Sequence, residues 1–337
     1  PITLASRLEA VLSDLSTARR TFALDRPLLV GNGTLRTILL RSDVPVDKFD
    51  SVADAFVTTG GMGLKFWTVL GEAPDTYGGV VAVASLKRGV EIGTLAKNFD
   101  PMVQALTQKI AISTPRELAK LSIEDWTQLV TDVGSVPAGT DGDSEVARCT
   151  TYARTMASQA QRLYPTIALT AAVKRTRAGG LTRLDVIEQI VDENPDLELR
   201  VSNIDTFAAK KGLSLDRETR SELKVLQRVN RLAPTSDTAT ALLANGLHSS
   251  VQIMALGRES FVVKMKQAGV KESLASSIHG NAEFQYAQIL QRIGELRSEV
   301  QSTMPAALAP QVLTAEVRQR LLSDLPDLEL LFGSLDA

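Results

Sequence analysis

Apolar residues along most of this chain recur every three or four positions, the spacing of one face of a helix. The stretch Ser221–Met265 carries the pattern most clearly. Leu223, Leu226 and Val229 form a stripe flanked by Val225 and Leu232, with Lys224, Gln227, Arg228 and Arg231 on the other side. Ala233-Pro234 ends that helix, because the residue before a proline is pushed out of the α region. Thr235, Ser236 or Asp237 caps a second helix through Leu242-Leu243, and Asn245-Gly246 closes it. A third, short helix carries Val251, Ile253, Met254 and Leu256. Gly257 breaks it, and a fourth opens with Glu259 in its first turn and buries Phe261 and Val262. Helices joined by connections this short must pack on one another.

The remainder reads as more of the same. Residues 4–19 predict an amphipathic helix with Leu4, Leu8, Val11, Leu12 and Leu15 on one stripe. Leu28–Val30 runs into the turn Gly31-Asn32-Gly33. Leu35–Leu40 and Val46–Thr58 predict two further helices. Asp100-Pro101 opens another, Ser113-Thr114-Pro115 the next, and Ser122 caps one holding Trp126, Leu129 and Val130. Asp132–Asp143, rich in Gly, Pro and Asp, predicts a flexible surface loop. Helical spacing returns over Ser144–Leu163, Thr166–Thr176, Leu181–Val191, Ser202–Phe207, Glu272–Arg297 and Thr314–Leu325, with Leu197–Val201 a short alternating run. Residues 59–93 resist the pattern: Gly60-Gly61-Met62-Gly63 and Tyr77-Gly78-Gly79 bracket a short apolar stretch around Trp67, and Val80–Ala84 is β-prone. The expected class is all-α, an extended multi-helix array of packed short helices, with room for a small irregular or β-containing insertion near 59–93. The expected domains are 1–97, helical with a Gly-rich irregular part, and 98–337.

Two segments of the second domain resemble each other. Leu118–Trp126 aligns with Ile253–Phe261, so that Leu121 matches Leu256, Ser122 matches Gly257 and Trp126 matches Phe261. In each, apolar residues end one helix, a small residue makes the turn, acids favour the next N-terminus and an aromatic anchors it. This internal repeat, about 114–130 and 249–265, favours stacked helices over one compact bundle.

Composition narrows the function classes. With 37 basic and 39 acidic residues the net charge is −2, which supplies no electrostatic footprint for nucleic acid or anionic lipid. Aromatics are only 4 %, against an aromatic-rich carbohydrate surface. Cys149 is the sole cysteine, so an intrachain disulfide and a cysteine-based zinc site are excluded. No apolar run reaches the roughly 20 residues of a membrane helix, and no direct membrane insertion by this segment is expected. The sequence carries no signal peptide; it starts at Pro1 rather than Met and reads as a fragment of a longer protein.

The candidate chemistry is sparse. His248 and His279 are the two histidines. The first adjoins Ser249-Ser250, where helix capping is the simpler role, and the second is expected in a polar patch of a helix. Gly60–Gly63 and Gly78-Gly79 match neither a P-loop nor a dinucleotide fingerprint. Asp141-Gly142-Asp143 lacks the later ligands of a calcium loop. Cys149, beside Arg148 on a helix, reads as a structural thiol. Glu124-Asp125 and Asp192-Glu193 fit helix ends. No catalytic, cofactor-binding or metal-ligating residue is nominated, and no cofactor is expected.

Several segments resemble one family. The tail Leu325–Asp336, LPDLELLFGSLD, is similar to a motif of the A component of Tc toxin complexes and of related bacterial proteins with a neuraminidase-like domain. Thr114–Val130, Tyr164–Leu169 and Ser221–Met265 resemble the same family, so the likeness covers about residues 100–337. The resemblance implies a secreted, non-enzymatic helical shell segment of a very large toxin subunit. Its partners would be other regions of the parent chain, with a pentamer as the implied homo-oligomer and no nucleic acid. Competing readings are a glycoside hydrolase-like enzyme with its site around Trp67 and Tyr77, and a standalone helical protein-binding module. A concave polar cleft with paired carboxylates is what the enzyme reading requires.

Overall fold

The computed structural model describes residues 4–27, 33–108 and 114–301. Leu28–Val30 with the turn at 31–32, Thr314–Leu325 and the 325–336 motif lie outside the described residues. Among those described, sixteen α-helices and four short 3-10 segments form the secondary structure, and the sole β pairing is an isolated antiparallel bridge between Pro27 and Thr34. The protein is an all-α array of packed helices. It divides between Leu163 and Tyr164 into two compact units. The position 97/98, where a domain boundary was expected, falls inside the first unit.

The first unit holds α1 (Leu4–Asp25), α2 (Leu35–Leu40), α3 (Phe49–Thr59), α4 (Leu64–Glu72), α5 (Val80–Leu95), α6 (Asp100–Gln108), α7 (Ile123–Val133) and α8 (Glu145–Leu163). Phe49 and Val52 of α3, Phe66 and Leu70 of α4, Leu86 of α5 and Leu35, Ile38 and Leu39 of α2 share one core. The expected irregular or β-containing insertion at 59–93 is helical instead. Gly60 takes the left-handed conformation that ends α3, and the Gly61 N–H donates to the Phe56 carbonyl at 2.8 Å, so the glycines make a helix stop and not a phosphate cradle. Val80–Ala84 opens α5: burying Ala82, Leu86, Ile92 and Leu95 outweighs a propensity deficit of about 0.7 kcal/mol or less per β-branched residue. Trp67 and Tyr77 are packing residues. The Phe66 ring meets Trp67 edge-on at 4.9 Å, and Tyr77 is buried.

The helix at the start departs from expectation in another way. α1 forms and runs on to Asp25, but its apolar stripe does not face the core. Leu4, Leu8, Val11, Leu12 and Leu15 are all more than half exposed, between 53 and 86 %. The inner side is carried by Ala23 and Leu24, both buried, and by Arg20, whose Nε donates to both Asp54 carboxylate oxygens at 2.9 Å.

The second unit holds α9 (Pro165–Thr176), α10 (Leu184–Glu193), α11 (Ile204–Lys211), α12 (Arg217–Leu232), α13 (Ser236–Ala244), α14 (Ser250–Leu256), α15 (Arg258–Gln267) and α16 (Glu272–Gln301). α12 starts where Asp216 accepts from the Thr219 N–H at 2.9 Å. Thr235 and Thr238 form a capping box on α13, and Ser249 caps α14. The helix expected over Ser202–Phe207 is capped by Asn203 and runs to Lys211 as α11. Lys224, expected on the polar side of α12, is buried, and its Nζ reaches Asp205 at 2.8 Å.

The two anchors of the sequence repeat are fully buried: Trp126 near the start of α7 and Phe261 near the start of α15 are both 0 % exposed. Leu118 and Ile253 are buried too, while Leu121 and Leu256 are only half-buried. The local geometry differs. Residues 115–120 form a 3-10 segment, and Ser122 with Asp125 makes a full capping box. In the other copy a true α-helix precedes Gly257, which has φ 73° and offers no side-chain cap.

Truncating either anchor, Trp126→Ala or Phe261→Ala, is expected to cost about 3–5 kcal/mol, while Leu121→Ala and Leu256→Ala, half-exposed already, should fall below about 2 kcal/mol. Exposed Arg258→Ala should stay within about 0.5 kcal/mol. Urea midpoints check the order; an unchanged midpoint for an aromatic would remove it from the core. The connection after α7 spans 134–144, since Asp132 and Val133 belong to the helix and α8 starts at Glu145, and its residues are mostly exposed. Limited proteolysis of the folded chain should cut there before it cuts within α12, because exposed polar loops open at little cost.

Candidate functional site

A concavity of the first unit forms around a sharp turn between α5 and α6. Two consecutive non-glycine residues, Lys97 and Asn98, hold φ 52°, a left-handed conformation that costs roughly 1–3 kcal/mol each. The neighbours impose it. The Asn98 N–H donates to the Gly93 carbonyl at 2.6 Å, and Phe99 N–H donates to Ala96 at 3.1 Å. The buried Tyr152 hydroxyl, from α8, donates to the Ala96 carbonyl at 2.9 Å. The Phe99 and Tyr152 rings meet edge to face at 5.9 Å. Asn98 lies between Gly33 and Gly93, and a Cβ on either glycine would run into its side chain. On the far side of the turn Asp100 pairs with the Arg41 guanidinium.

The resulting cleft measures about 590 Å³, bounded by residues 97–101, the loop 137–141, and Thr151, Tyr152 and Thr155 of α8. That is a size that holds small ligands. Several of its polar groups serve structure. Asp100 is bound to Arg41, whose pKa burial pulls down from its ordinary value. Burial pushes the Tyr152 phenol up, so it stays a protonated donor to Ala96. The Thr140 hydroxyl donates to the Pro137 carbonyl at 2.7 Å, and the Thr155 hydroxyl to Thr151 at 2.9 Å. Burial raises the Glu91 carboxyl against the pull of Lys87, but Glu91 does not line the cleft. Two carboxylates line the cleft: Asp100, held by Arg41, and Asp141, on the exposed loop.

A smaller hollow of about 320 Å³ in the second unit lies beside Arg200, Asn230, Arg231 and Pro234. Its cations are likewise engaged: Arg200 donates to the Asn230 Oδ1 at 3.4 Å and to the Pro234 carbonyl at 3.2 Å, and Arg231 Nε to the Arg200 carbonyl at 3.0 Å.

The residues weighed in the sequence are scattered. His248 precedes the cap of α14; its N–H donates to Gln252 at 2.6 Å and its carbonyl accepts from Arg228 Nε at 3.3 Å. His279 is buried on α16 with its ring 5.8 Å from that of Phe261, not in a polar patch as expected. Cys149 is a buried free thiol on α8. Asp125 completes a capping box and Glu193 accepts from Gln189 at 2.8 Å. Asp141 and Asp143 are exposed loop residues. Among the described residues, no three His, Cys, Asp or Glu side chains gather as a metal site would require, and no helix is long and apolar enough to cross a membrane.

Sequence reasoning missed two features. One is the left-handed pair at 97–98, for which Asn98, a residue that tolerates φ above zero, was the available signal. The other is the polar stitching of the segment 194–203. Thr166 of α9 donates to Glu198 at 2.5 Å and accepts from the Leu199 N–H at 2.9 Å, and Gln227 of α12 donates to the carbonyls of Leu199 and Ser202. Nothing local in the sequence marks partners about 30 residues apart. No protein-family model, curated protein or solved structure matches this chain.

A pH dependence follows from His248. Burial first, and the Arg228 charge second, hold its pKa below the ordinary 6.5, with a weaker opposing hydrogen bond to Leu243. The imidazole is therefore neutral in the folded chain at pH 7. Below about pH 6.5 the unfolded chain takes up a proton that the folded chain refuses, so stability falls as pH drops through that range. His248→Gln should flatten this part of the stability–pH profile, measured as urea midpoints between pH 7.5 and 5; an unchanged profile would show that His248 is not the group responsible.

Proposed function

We infer that this chain is a non-enzymatic helical shell segment of a large, secreted, Tc-toxin-like subunit, working by packing against other regions of its parent chain. The observation that carries this reading is where the family-like segments fall. In Thr114–Val130 the conspicuous aromatic, Trp126, is fully buried. In Tyr164–Leu169, Pro165 is the first residue of α9, and Ile167 and Leu169 are buried. In Ser221–Met265 the four helices bury Leu226, Leu242, Ile253 and Phe261 against their neighbours. Segments that serve packing suit a scaffold, and in the cleft of the first unit Asp100 and Tyr152 are engaged in holding the turn between α5 and α6.

The test is the intact parent protein. Particles imaged by negative-stain electron microscopy are expected to be pentamers with a helical shell around a central channel. A parent lacking any channel-forming region, or a purified chain that turns over a fluorogenic sialoside in a way abolished by one carboxylate substitution, would overturn the reading.

A further inference from the structure

The exposed stripe of α1 is more ordered than an accidental apolar patch. Leu4, Leu8, Val11, Leu15, Ala18 and Phe22 are spaced 4, 3, 4, 3 and 4 residues apart, the a/d repeat of a coiled coil sustained for nearly three heptads. With Leu8, Leu15 and Phe22 at a, the d positions are Leu4, Val11 and Ala18. Every one of these six side chains is exposed, while the side of the helix that packs inward is carried by Arg20, Ala23 and Leu24. Soluble chains rarely leave a continuous apolar seam open to water.

We propose that this seam is a self-association surface, through which α1 forms a parallel, in-register coiled coil with a second copy of this chain. Charge selects the occupant and its direction. In a parallel pair each g residue faces the e residue five positions on in the partner. Asp14 occupies g and Arg19 occupies e, so each copy's acid meets the other's guanidinium, twice per pair. Arg7, at the preceding g, lies opposite Leu12 at e, where its methylene stem covers the apolar side chain. In an antiparallel pair with full overlap, g faces g, and Asp14 would meet its own copy, a like-charge contact. All four flanking residues are exposed. A surface complementary to itself is the signature of a symmetric interface.

The helix is also prepared for the encounter. Most helical stability in proteins comes from tertiary packing rather than from propensity. Here α1 is held at its C-terminal end by the Arg20–Asp54 pair and by buried Ala23 and Leu24, so the seam is presented already formed. At 1.5 Å per residue its 22 residues extend about 33 Å. This inference stands independently of the toxin-like reading, since it needs nothing from the parent chain.

Sedimentation of the full chain over a concentration series should show reversible self-association. Leu8→Lys with Leu15→Lys should leave a monomer of unchanged circular dichroism. Asp14→Arg, which sets a second guanidinium against that of Arg19, should weaken association about tenfold or more, and Asp14→Arg with Arg19→Asp should restore it. Val11→Cys should oxidise to a dimer on denaturing gels, as only parallel in-register strands bring position 11 onto itself; the wild type, whose single thiol is buried, is the control. A chain monomeric at every concentration overturns the proposal, including the case in which slow amide exchange shows the seam covered by the chain's own residues. An oligomer undiminished by the double lysine substitution, or a Val11→Cys oligomer that does not cross-link, overturns it equally.

Discussion

An array of short helices must satisfy many backbone groups that helices leave open at their ends, and this requirement shapes the molecule. Each helix exposes four N–H groups at its start and four carbonyls at its finish. With connections of a few residues there is little room for water to serve them all. The chain answers with side chains. Thr34, Ser122, Asn203, Asp216, Thr235 and Ser249 each accept an N–H at the start of a helix. Where the chain leaves the helical pattern but stays inside, at 194–203, Leu197 and Leu199 are buried, and Thr166, Gln227 and Arg231 supply partners for the surrounding backbone. A buried backbone group left without a partner would cost about as much as a lost hydrogen bond.

The same economy is visible at the cleft of the first unit. Its turn stores strain at Lys97 and Asn98, and the groups around it, Tyr152, Asp100 and Arg41, hold that turn in place. Strain of this kind often accompanies function. Here it lets α5 reverse into α6 within a few residues, which keeps both helices on the core.

α1 stands out against this background. Elsewhere apolar stripes are turned inward, as on α12, where Leu223, Leu226 and Val229 are buried. On α1 the stripe points outward with a regular heptad register. The difference is in kind: the α12 stripe meets neighbours that the chain itself supplies within the second unit, whereas the α1 seam meets none among the described residues and has the pattern of a surface that fits its own copy.

What the sequence determined by itself was local. Period and punctuation placed the helices: the stripes of α3, α7 and α12, the proline at the start of α6, Ala233-Pro234 after α12 and the Ser122 cap all act within a turn or two of their own position. That is why the class was legible while residues 59–93 were not, since β-branched Val80–Val81 carry a strand-like preference that only burial of Ala82, Leu86 and Ile92 overrides. Tertiary structure decided everything that depends on a distant partner. It put Lys224 inside because Asp205 was there to meet it, and turned His279 against Phe261. It joined Thr166 to Glu198, and it left Leu4, Leu8, Val11 and Leu15 facing water. An amphipathic stripe states that a helix has an apolar face; which surface covers that face is a property of the whole chain, or of the assembly it enters.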